Sequence, residues 1–247
     1  MIAKVSALMQ NLAKTASAKE FNNALPILLH ILKKEGKDLY SIKMGNLTTQ
    51  TKSQKELTVG AKYFANVARS SVGSILLSHL TPYPKALESL TNAPLKMRHE
   101  ELQNFLAKDA GNFLEEYKGF LLEHFANASN KNEFLFFGNM LLSLQKEVLT
   151  LVIQEGGRDS LLQTKRGKEP SELEFYALYP NLGALSGVVY QKDKGVGLRI
   201  QTSFISVQKI LQKHASALGY FSQVDILHTP NIEPFFLPQA HLLDLLG

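Results

Sequence analysis

The chain has no cysteine, which excludes disulfides, thiolate metal sites and thiol nucleophiles and fits a reducing compartment. It has no apolar run near the roughly 20 residues a membrane span requires. Its first residues, MIAKVSALMQNLAK, are broken by Ser6, Gln10, Asn11 and Lys14 before the apolar segment of a secretory signal can form. Long runs of one charge are missing too. The 27 basic and 22 acidic residues leave a net charge of +5, yet the basic clusters are no longer than Lys33-Lys34 and Lys165-Arg166. Dispersed charge of this kind reads as a solvated basic surface more than as a nucleic-acid groove.

The signatures of catalysis are equally scarce. None of the seven histidines pairs with another at i, i+4, and there is no HExxH, GxSxG, GxGxxG or GxxxxGK[ST]. Gly195-Val196-Gly197 falls in a predicted hairpin. Glu155, Asp159, Glu172 and Glu174 are near one another in sequence and would supply two carboxylates for acid/base work, but they read better as solvated strand ends because nothing nearby would drive their pKa values apart. The expectation is a protein that is not an enzyme, with no metal and no cofactor.

What is present is ordinary globular material, 45% apolar and 20% charged, in a chain long enough for one large domain or two small ones. Residues 1–37 are predicted to be helical, weakly up to residue 24 and then from Pro26, with Leu25, Leu28, Leu29 and Leu32 on one side and a stop at Gly36. Residues 38–80 alternate with period two around Gly45-Asn46, a dipeptide suited to a II′ turn, and predict a small β sheet or open barrel. Such barrels often bind oligonucleotides, but Tyr40, Tyr63 and Phe64 are few aromatics for base stacking.

Thr81-Pro82-Tyr83-Pro84 and Asn92-Ala93-Pro94 mark a module boundary. Residues 81–147 form a helical region, with a long helix over Arg98–Phe125 that Gly111 and Gly119 bend or break, and a second over Glu133–Gln145 capped by Asn132. Strands at Val148–Gln154 and Ser160–Thr164 open a domain spanning 148–229. In it, strands at Leu173–Tyr179, Leu185–Tyr190 and Val196–Thr202 precede an amphipathic helix from Phe204 to Leu218, capped by Ser203 and closed by Gly219. A last strand, Tyr220–Leu227, follows. The fold class is therefore α+β: a C-terminal antiparallel sheet with one covering helix, preceded by a helical region and a small N-terminal β module. The tail, 230–247, holds Pro230, Pro234 and Pro238, which prevent regular structure up to a short helix expected at His241–Leu246. Its Phe235-Phe236-Leu237 either packs back on the domain or serves as a docking motif.

The run Leu178-Tyr179-Pro180-Asn181-Leu182-Gly183, set between two strands and followed by a polar turn, a third strand and a helix ending at Leu218-Gly219, resembles the C-terminal domain of flagellar hook-length control proteins over about 55 residues. The resemblance implies a protein that switches the substrate specificity of a flagellar type III export apparatus by contacting the cytoplasmic domain of a membrane export-gate protein. It implies no small-molecule substrate, and a cytoplasmic location with export through that pathway left open. Pro180, Leu182 and Gly183 are then the motif residues, for partner contact or for shaping the fold: Pro180 and Gly183 to make the bend, Leu182 to plug the core. The chain differs from such proteins in the folded look of residues 20–150, where a long low-complexity half is usual, and so resembles compact relatives carrying the same domain after a small β module. A nucleic-acid-binding protein using the 38–80 module is the alternative.

Overall fold

Alternating inward residues and one tight turn build the first module. β2 (Leu39–Met44) and β3 (Leu47–Lys52) pair antiparallel around Gly45-Asn46. Only the first turn residue takes positive φ (Gly45, +57°), as a II′ turn requires. β1 (Ile27–Lys34), β4 (Lys62–Arg69) and β5 (Ile75–Pro82) complete an antiparallel sheet in the order β3-β2-β1-β4-β5. Its outer strands β3 and β5 come together, which makes a partly open barrel of the OB type. The computed structural model describes residues 25–69, 75–83, 88, 93–108, 112–155, 158–192 and 195–239. The expected helices at 1–24 and His241–Leu246 lie outside these.

The helix expected from Pro26 to Gly36 is instead β1. Ile27-Leu28-Leu29-His30-Ile31 is apolar at nearly every position, so it satisfies a helical and an alternating pattern equally. Pairing with β2 on one side and β4 on the other decides it. Leu29 and Ile31 then point into the barrel core with Tyr40, Ile42, Leu57 and Ala65, while Leu28 and its cross-strand neighbour Phe64 face the rest of the protein.

The second sheet has seven strands, ordered β12-β11-β10-β9-β8-β7-β6. Five of them form an antiparallel meander: β7 (Leu149–Glu155), β8 (Arg158–Arg166), β9 (Glu172–Tyr179), β10 (Gly183–Lys192) and β11 (Gly195–Thr202). The sequence predicts an antiparallel sheet, and the two edge strands depart from it. β6 (Met97–Arg98) runs parallel to β7, and β12 (Gln223–His228) parallel to β11. A parallel neighbour needs a crossover, and each edge has one. α1 (His99–Lys108), α2 (Phe113–Ala126) and α3 (Lys131–Gln145) lie between β6 and β7; α4 (Ile205–Lys213) and a 3-10 turn, Ala215–Leu218, lie between β11 and β12.

The helical region is thus a crossover of this domain and not a module of its own. Phe113, Tyr117 and Leu121 of α2 and Phe136, Phe137 and Met140 of α3 share one core with Leu151, Phe175 and Leu198 of the sheet. Tyr117 donates to the Thr150 carbonyl at 3.0 Å, and burial pushes its hydroxyl pKa up, so it stays a donor. In β9, Phe175 through Tyr179 are all buried, so this strand is covered on both faces.

Two expected caps move. Asn130, not Asn132, caps α3: its side chain accepts from Glu133 N, and Glu133 reaches back to Ser129 N and Oγ. Those hydrogen bonds hold the Glu133 carboxyl below its ordinary pKa. Ser203 does not cap α4; it donates to the Ala184 carbonyl, and Phe204 occupies the cap position without a side-chain bond. The helix stops at Lys213, short of Leu218.

α3 ends in a Schellman motif, with Glu147 N bonded to Leu144 O and Val148 N to Ser143 O, both at 2.9 Å. This puts Glu147 at φ +59°, a conformation that glycine takes without the Cβ penalty. Glu147→Gly should stabilise the protein by about 0.5–1 kcal/mol, read as a higher urea midpoint at unchanged slope.

Candidate functional site

Pro180, Leu182 and Gly183 form the β9–β10 turn, and the structure gives each a different place. Leu182 is completely buried and Gly183 buried, so of the three only Pro180 presents surface. Gly183 has φ +72°, and a Cβ there would lie 2.6 Å from Phe204 Cε2. Phe204, itself buried, meets Phe64 of β4 edge to face at 6.4 Å, and Phe64 meets Tyr83 at 5.4 Å. The turn is therefore the point at which the barrel seats on the seven-stranded sheet. Its geometry serves packing.

The carboxylates considered for acid/base work fall into two separated pairs, Glu155 and Asp159 at the β7–β8 turn and Glu172 and Glu174 at the start of β9. Glu174 is paired with Lys165 at 3.0 Å, whereas Asp159 bonds Lys96 and Gln154. Residue 159 lies six residues from Lys165 along β8, a separation of roughly 20 Å. Among the described residues no group of three potential metal ligands occurs. His124 lies between the rings of Phe120 and Phe137, at 4.2 and 5.1 Å. No helix among them is long and apolar enough to cross a membrane.

A concave surface lies elsewhere. A groove of about 890 Å³ runs between α2, α3 and the ends of β7, β8 and β9. Its floor and walls carry six leucines: Leu114, Leu122, Leu141, Leu144, Leu149 and Leu173. Leu114 and Leu122 are 47% and 48% exposed, which is unusual for two leucines on one helix beside an apolar trough. The rim has both signs, with Glu115 and Glu147 against Lys118, Lys165 and Arg166. Apolar walls with a mixed charged rim suit the side chains of another polypeptide. The sequence carried a signal for it: Leu114 and Leu122 extend the apolar arc of α2 to one side of the buried stripe of Phe113, Tyr117 and Leu121, so the helix is apolar over more surface than it buries.

The tail packs against the domain. The Gln163 side chain accepts from Phe235 N and Phe236 N at 2.9 and 3.2 Å and donates to Phe236 O at 2.8 Å. Asn139 does the same for Gln239, accepting from its N at 2.7 Å and donating to its O at 3.0 Å. Lys165 and Lys146 sit over the Phe235 and Phe236 rings at 4.5 and 5.7 Å.

The barrel's described aromatics are covered, Tyr40 in the barrel core and Phe64 against the seven-stranded sheet. Tyr40 and Phe64 are buried, and the Tyr40 and Tyr63 hydroxyls accept from Leu57 N and Thr58 N in the β3–β4 loop. No family model, curated protein or solved structure matches this chain.

Proposed function

We propose that this protein belongs to flagellar type III export, in a hook-length-control or substrate-switching role, and acts by recognising the cytoplasmic domain of the export gate. The observation that carries the reading is the Pro180–Gly183 turn: a proline, a buried leucine and a glycine at φ +72°, between two paired strands and ahead of α4. This is the element order of the resembling domain. Recognition in place of bond-making is favoured by the separation of the carboxylates and by the leucine-lined groove. Because Leu182 is buried, the contact surface in this reading is the groove, and the turn supports it from within the fold.

A pull-down with the export-gate cytoplasmic domain tests this. The wild-type chain is retained. Leu122→Glu, at a half-exposed position outside the core, keeps its melting temperature within the range of surface changes, about ±0.5 kcal/mol, but is lost from the beads. Absence of wild-type binding removes the reading; equal retention of Leu122→Glu removes the groove from it.

A further inference from the structure

We infer that the β2–β3 face of the barrel is an electrostatic docking surface for an acidic protein segment. This goes beyond the proposed function, since it concerns a different module and a different partner chemistry.

Between Ile27 and Pro82 the chain has seven lysines and Arg69 against Glu35, Asp38 and Glu56 only, a net +5. That equals the formal net charge of the whole protein. From Ala93 onward the balance reverses, with 15 basic and 17 acidic residues. Charge that looks dispersed along the sequence is therefore gathered on one folded unit.

Within that unit the ion pairs are uneven. Lys33 pairs with Glu35, Lys34 with Glu56 and Lys62 with Glu88. Lys37, Lys43, Lys52 and Lys55 are exposed and have no carboxylate partner among the described residues. The strand register places two of them on one surface. Tyr40 and Ile42 point into the barrel, so Leu39, Ser41 and Lys43 point out, as do their partners Lys52, Gln50 and Thr48. Lys43 and Lys52 bracket an uncharged polar strip, Ser41, Thr48 and Gln50, with a spacing of roughly 13 Å along the strands. Lys37, in the β1–β2 turn, and Lys55, in the loop after β3, continue the positive surface. The docked side of the barrel, with Leu28 and Phe64, is on β1 and β4, so the lysine face is left open.

The same face of such barrels often takes oligonucleotides, and here the chemistry argues for protein. Unpaired bases are held by stacking on exposed aromatic rings, and none of the barrel's described aromatics is exposed. Lysines spaced among hydroxyl and amide side chains fit carboxylates and the peptide groups between them, with steering that falls off with salt.

The test uses the full chain and a fluorescein-labelled Glu/Ser-alternating peptide of about 12 residues, read by anisotropy at about 50 and 200 mM salt. The wild type binds at low salt, and binding weakens about tenfold or more in Lys43→Glu/Lys52→Glu and at the higher salt. Leu122→Glu leaves it unchanged, which separates this surface from the groove. Three outcomes overturn the inference: no peptide binding at low salt, binding indifferent to the double charge reversal, or tighter binding of an oligothymidylate of equal charge. Circular dichroism of the double variant, both positions being exposed, verifies that a loss of binding is not a loss of fold.

Discussion

Gly183→Ala is expected to destabilise the protein by about 2–5 kcal/mol, with the loss concentrated where the barrel meets the seven-stranded sheet. Two costs add. An alanine held at φ +72° carries a left-handed penalty of about 1–2 kcal/mol. Its Cβ would also stand 2.6 Å from the Phe204 ring, and overpacking of a full core costs about 1–3 kcal/mol more. Phe204 is 2% exposed and packs against both Gly183 and Phe64, so displacing the ring disturbs the barrel contact. A double-mutant cycle separates the two costs. In a Phe204→Ala background, Gly183→Ala should keep only the backbone penalty, giving a coupling of about 1–3 kcal/mol by urea denaturation. Additive effects would mean that the ring is not what constrains the glycine.

Gln163→Leu is expected to release the tail at a cost of about 2–4 kcal/mol. Gln163 is fully buried in β8, and its amide offers the Phe235-Phe236 backbone the same donor and acceptor that a neighbouring strand would. Leucine keeps the volume and removes all three hydrogen bonds. A buried backbone group without a partner costs about 1–3 kcal/mol, so the tail leaves and recovers its hydrogen bonds in water. The expense then becomes the lost burial of Phe236, 4% exposed, and the two cation–ring contacts. Limited proteolysis should cut between Glu233 and Gln239 in the variant and spare the wild type. Unchanged resistance and an unchanged melting temperature would show that Asn139 and the aromatic contacts hold the tail alone.

Both expectations depend on residues of different legibility. Gly183 was visible in the sequence because Pro180-Asn181-Leu182-Gly183 interrupts two strand patterns, and turn chemistry is local. The same holds for Gly45-Asn46, whose II′ turn was expected. Gln163 gave no sign at all. A single glutamine in an apolar strand looks like a solvent-facing residue of an alternating pattern, and its partner is over 70 residues further along the chain. Phe235 and Phe236 were legible as too apolar for an idle tail, with packing and docking left as alternatives; Gln163 and Asn139 decide for packing.

Strand or helix identity was legible wherever one period fits and the other does not. The alternation in Val196–Thr202 admits only a strand, and the spacing of Val207, Ile210 and Leu211 only a helix, because side-chain direction repeats every two residues in one and every 3.6 in the other. In Ile27–Ile31 both periods fit, and only the hydrogen-bonding edges of β2 and β4 made it β1. The carboxylates of the C-terminal domain show the converse: Asp159 and Glu174 are close in sequence, but the antiparallel meander carries them to opposite ends of the sheet.

The amino-acid sequence by itself determined the α+β class, the turns and the element order of residues 172–219, since those rest on local conformational preference and on periodic burial. The tertiary structure alone decided which strands are neighbours, that β6 and β12 join in parallel, that the helices leave a leucine groove, and that scattered lysines share one barrel. Each of these depends on contacts between distant segments, whose free energy is gained only once the chain has closed the loops between them.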